Sequence, residues 1–66
     1  MQFFVKRLGR NVFDVFEGKQ WSSWSRLKIG RNGVYVAAGN LLHRGVTKAL
    51  VATIDPKEEV QSVSLQ

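Results

Sequence analysis

The 66-residue chain has no cysteine, one histidine (His43) and one proline (Pro56). Without cysteine neither a disulfide nor a thiolate metal site can form. A lone imidazole leaves no zinc set, so neither a metal nor a cofactor is expected. No apolar run approaches the roughly 18 residues that read as a membrane-spanning helix. The opening Met1-Gln2-Phe3-Phe4-Val5-Lys6-Arg7 puts its charge after a short apolar stretch, the reverse of a secretory signal. These features predict a cytoplasmic protein with no membrane partner. A chain of this size buries only about 60% of its unfolded surface, so one small domain is the most it can form.

Acidic residues are also scarce where the body of the chain lies. Residues 1–54 hold nine Lys and Arg against Asp14 and Glu17, a balance of +7, whereas residues 55–66 hold Lys57 against Asp55, Glu58 and Glu59, a balance of −2. A basic body with a short acidic end suggests a polyanionic partner, either nucleic acid or an acidic protein surface.

Turning to what is present, Phe3 to Leu8 and Val12 to Phe16 are aromatic and β-branched, and Gly9-Arg10-Asn11 between them forms turns readily. That combination predicts a β-hairpin, with Gly18-Lys19-Gln20 ending its second strand. Asn32-Gly33 is a strong signal for a second hairpin through a type I′ turn. On that turn, residue 31 faces 34, 29 faces 36 and 27 faces 38. One face then carries Leu27, Ile29, Val34, Val36 and Ala38, and the other Trp24, Arg26, Lys28, Tyr35 and Ala37. An internal echo supports the pair of hairpins: Leu8-Gly9-Arg10-Asn11-Val12-Phe13 resembles Ile29-Gly30-Arg31-Asn32-Gly33-Val34-Tyr35, 21 residues later.

Beyond Gly39-Asn40 the period changes. Val46, Leu50 and Ile54 recur every four residues, one face of a helix over about residues 44–54, with Thr47 and Lys48 pointing outward. Asp55-Pro56 ends it, because a residue preceding proline avoids the helical region. The expected architecture is α+β and mainly β: an antiparallel four-stranded meander of two hairpins, then one C-terminal helix. Residues 1–55 make a single basic β-β-β-β-α domain, and residues 56–66 a polar, mildly acidic, disordered tail.

Trp21-Ser22-Ser23-Trp24-Ser25 resembles the WSxWS box of class I cytokine receptors over those five residues. In that family the box lies in a fibronectin type III domain. A sandwich of that kind needs about 100 residues, more than this chain has, so no residue role follows from the likeness. The tryptophans are then explained locally, with Trp21 closing one end of the core and Trp24 on the face opposite Leu27 and Ile29.

If that face is open, its chemistry suits single-stranded DNA or RNA, because bases stack on aromatic rings while cations track the phosphates. Trp24, Arg26, Lys28, Arg31 and Tyr35 are the candidate platform, and Lys6, Arg7, Arg10 and Arg44 add to the field. Catalysis finds no support: His43 has no acid to orient it, and Asp14 and Glu17 point to opposite faces of a strand. The expected function is that of a non-enzymatic nucleic-acid binder without strong sequence preference. The alternative is a protein-interaction module, a small regulator or inhibitor docking on a larger partner, of a kind common in mobile genetic elements. A homodimer burying the second sheet face is a further expectation.

Overall fold

A computed structural model describes residues 1–18, 20–39 and 43–66, with side chains described within the third strand from Trp24 onward. Five strands and one helix follow in the order β1 (Gln2–Gly9), β2 (Val12–Glu17), β3 (Gln20–Gly30), β4 (Gly33–Gly39), α1 (Arg44–Thr53) and β5 (Val60–Ser64). The strands form one antiparallel sheet in the order β4-β3-β2-β1-β5. The first four make the expected meander, and α1 carries the chain from the β4 edge to the β5 edge.

Alternation along the strands sets the two faces. Phe3 and Val5 of β1, Phe13 and Val15 of β2, Leu27 of β3 and Val63 of β5 are buried together with Leu50 of α1. Ile29, Val34, Val36, Val46, Val51, Ile54 and Leu65 pack against them. The helix therefore covers one face. Among the described residues, no element lies over the other.

Residues read as a disordered tail instead supply β5, which pairs with β1 from Gln2↔Ser64 to Lys6↔Val60. An edge strand needs apolar residues only at alternate positions, and here Val63 and Leu65 meet the core while Ser62 and Ser64 face water. The approach to β5 is fixed by local bonds. The Asp55 amide donates to Gln61 Oε1 at 2.9 Å, Gln61 Nε2 donates to the Asp55 carbonyl at 2.8 Å, and the Lys57 amide donates to Asp55 Oδ1 at 3.0 Å.

The second hairpin turns one residue earlier than expected. Its loop is Arg31-Asn32, closed by Gly30↔Gly33, with Ile29↔Val34, Lys28↔Tyr35 and Leu27↔Val36 following. The only described residues with positive φ are Gly18, Gly33 and Gly39, so Asn32 does not adopt the conformation a type I′ turn needs. The observed register sets Ile29 and Leu27 opposite valines and leaves Arg31 in solvent, where the expected one sets Arg31 opposite Val34. Because the two registers differ by an even number of residues, Leu27, Ile29, Val34 and Val36 keep their face. A bulge then sets Ala38 opposite Arg26 instead of Leu27.

The internal echo corresponds to a structural repeat. Gly9↔Val12 closes the first turn around Arg10-Asn11, the same dipeptide that makes the second. Gly39 serves a different purpose. At φ 88° an added Cβ would collide with the Trp24 carbonyl oxygen, so glycine lets β4 approach β3 there.

The helix spans Arg44–Thr53 with Ile54 as its C-cap, close to the expected limits. Its buried side is rotated from the one expected. Thr47 is buried beside Leu50, whereas Val46 and Ile54 are partly buried. Thr47 reaches this position without an unsatisfied hydroxyl, since its Oγ1 donates to the His43 carbonyl at 2.9 Å. That back-bond is a common way for threonine to enter a helix interior.

Candidate nucleic-acid interface

The uncovered face is ordered by strand register into rows. Across the first row Phe4 stands opposite Phe16 and Phe16 opposite Trp24, with Ser62 beyond Phe4 on β5. Directly opposed residues on neighbouring strands have side chains in reach of one another. Three adjacent strands thus present three aromatic rings in line.

The next row is charged. Lys6 stands opposite Asp14, and Asp14 opposite Arg26. Arg26 Nε donates to Asp14 Oδ1 at 2.7 Å and its second terminal nitrogen donates to Asp14 Oδ2 at 3.2 Å. This two-pronged geometry suits a planar guanidinium. Hydrogen bonding to the carboxylate, aided by its charge and opposed by desolvation, raises the Arg26 pKa above its ordinary value. The guanidinium carbon also lies 5.5 Å from the Trp24 ring centroid, a cation–π arrangement. Asp14 therefore does not leave a bare negative charge on the face, and Arg26 is held against Trp24.

In the third row Val12 faces Lys28 and Lys28 faces Tyr35. Tyr35 is 51% exposed and Phe4 39%, with Leu8 and Val60 exposed nearby. Beyond that row lie the two turns, side by side at one end of the sheet. The Ile29 amide donates to the Asn11 carbonyl at 2.8 Å, which ties the β3 end to the first turn. Arg10 and Arg31, both exposed, thus belong to neighbouring turns.

Of the residues singled out in the sequence, Trp24, Arg26, Lys28 and Tyr35 share this face with Lys6, and Arg31 and Arg10 border it. Arg7 and Arg44 do not belong to it. Arg7 lies opposite Phe13 on the covered side, half-buried, and points a guanidinium nitrogen at the Pro56 carbonyl 3.5 Å away. Arg44 opens α1 on that same side. The side chain of Trp21, expected to plug the core, lies outside the described residues. Phe4, Phe16 and Asp14 escaped the sequence reading as platform residues. The signal was there: a turn at Arg10-Asn11 puts Phe4, Lys6, Asp14 and Phe16 on the face away from Phe3 and Val5.

No cluster of His, Asp and Glu able to hold a metal ion is found among the described residues. No helix among them is long and apolar enough to cross a membrane. Against protein-family models, curated proteins and solved structures, the chain has no match.

Proposed function

We propose that this protein is a cytoplasmic, non-enzymatic binder of single-stranded DNA or RNA that acts through the uncovered sheet face without strong sequence preference. The observation that carries this reading is the Phe4–Phe16–Trp24 row, three rings on adjacent strands beside Lys6 and Lys28. Each stacked base contributes roughly 1–3 kcal/mol, with little dependence on base identity. Lys6, Lys28, Arg10 and Arg31 supply the phosphate contacts. Arg26, neutralised by Asp14, acts by stacking.

Titration of a labelled single-stranded oligonucleotide at several salt concentrations tests this. Four phosphate contacts give a log–log salt slope of roughly −3 for a single strand. No affinity at low salt, or a slope near zero, defeats the reading. The competing function is a small regulator docking on a larger protein, favoured by the exposed Phe4, Leu8, Tyr35 and Val60 on the same face. Such apolar patches often mark protein contacts. Capture of one specific protein after nuclease treatment, with no oligonucleotide binding, selects that alternative. A tight dimer closed over Trp24 in light scattering also removes the open platform.

A further inference from the structure

The two edges of the sheet are protected very differently. β5 is short and preceded by Glu58 and Glu59, and its chain is tethered through Asp55 and Gln61. β4 reads Gly33-Val34-Tyr35-Val36-Ala37-Ala38-Gly39, without a charge or a proline. Exposed edges of this kind are templates for another strand, and native proteins usually blunt them with charge, proline or a bulge. Here the bulge comes only at Ala37, after a regular stretch from Gly33 to Val36.

The hydrogen-bond pattern identifies the free groups. The Ile29 amide is bonded to Asn11, on the β2 side. In an antiparallel ladder, a residue that bonds one neighbour turns its groups away from the other. The Ile29–Val34 pair is thus the non-bonded kind, and Val34 aims its own N–H and C=O outward. By alternation Val36 does the same, while Gly33 and Tyr35 bond to β3. Among the described residues, no strand pairs with β4 on that side.

A groove of about 550 Å³ runs along this edge, with Asn32, Val34, Tyr35 and Val36 on the strand side and Arg44, Thr47 and Lys48 on the helix side. That volume lies within the usual range for ligand sites, about 300–1,000 Å³. No acidic residue lines it.

We infer that the β4 edge docks an extended acidic peptide segment of a partner protein, which adds as a sixth strand at Val34 and Val36. Alternate side chains of the added strand face α1, where carboxylates meet Arg44 and Lys48. Strand addition of this type takes its affinity from main-chain hydrogen bonds and its selectivity from alternate side chains. A second copy of the chain fits less well, because two β4 edges meeting would bring two Arg44/Lys48 pairs together on molecules that each carry a net charge of +5. The groove lies on the helix side of the sheet and shares only Tyr35 with the nucleic-acid platform, which lies on the opposite face.

Amide hydrogen exchange on the full chain tests it, with a short peptide alternating valine and glutamate as probe and a valine–lysine peptide as control. In the free protein the Val34 and Val36 amides exchange quickly, and the acidic peptide protects both. The lysine peptide binds at least about tenfold more weakly, since like charges oppose one another at the contact. The Arg44→Glu/Lys48→Glu variant, changed only at exposed positions, reverses that preference. Val36→Pro removes an outward N–H that the fold itself does not use, so it abolishes peptide binding and leaves oligonucleotide binding in place. The inference is overturned if the acidic peptide leaves these amides unprotected or if charge reversal does not change the preference. Protection in the peptide-free protein together with a dimer in light scattering also overturns it, and so does protection by an oligonucleotide alone.

Discussion

Phe3 and Phe4 are neighbours in the chain, yet one is 1% exposed and the other 39%. The same contrast runs across the sheet. On one face Phe3, Val5, Phe13, Val15 and Leu27 close under Leu50. On the other, Phe4, Phe16 and Trp24 line up beside Lys6, Arg26 and Lys28 with nothing described above them. Side-chain alternation lets five short strands hold a hydrophobic core and a binding surface back to back. In a chain this small the division has a consequence: residues that stabilise the fold and residues proposed to bind are different sets, separable by mutation.

The sharpest way to break that separation is in the core. Phe13→Ala should cost about 3–5 kcal/mol, enough to unfold most of the molecules, as read by circular dichroism and denaturant titration. Next comes Gly39→Ala. Its Cβ would run into the Trp24 backbone at a positive φ, and backbone strain alone is of order 1–3 kcal/mol, so a clear fall in the thermal midpoint is expected.

On the uncovered face the expected effect moves from stability to binding. Trp24→Ala should weaken single-stranded oligonucleotide binding by roughly 1–3 kcal/mol while lowering stability less than Phe13→Ala does. Equal losses of stability at the two positions would erase the distinction between the faces. The smallest change is expected from Asp14→Asn, which loosens Arg26 from its position against Trp24. The pair is part-buried, with the Arg26 side chain still 41% exposed, so loosening it costs on the order of 1 kcal/mol. The fold should therefore persist, and the net gain of positive charge on the face should steepen the salt dependence of oligonucleotide binding.

Much of this division could be read from the sequence, and the reasons are local. Gly9-Arg10-Asn11 and Asn32-Gly33 located the two turns to within a residue, and alternation placed Leu27, Ile29, Val34 and Val36 opposite Trp24, Arg26, Lys28 and Tyr35. The register error at Asn32-Gly33 did not disturb the faces, because a two-residue slip preserves them. β5 was hidden by its composition: Val60-Gln61-Ser62-Val63-Ser64 has one buried apolar residue, and its place is set by pairing with β1 and by the Asp55–Gln61 bonds, which no local pattern announces. Thr47 was assigned to the outside by polarity, yet its hydroxyl is satisfied within the helix. The aromatic row was missed because its members come from three strands, and only the pairing of β1 with β2 and of β2 with β3 brings them together.

Chemical-shift mapping of a single-stranded oligonucleotide on isotope-labelled protein at low salt tests the division of the two faces most directly. The expected result is perturbation of Phe4, Lys6, Phe16, Trp24, Lys28 and Tyr35, with Phe3, Val5, Leu27 and Leu50 unchanged. Perturbation centred on α1 and the covered face, or none on the Phe4–Phe16–Trp24 row, would contradict it.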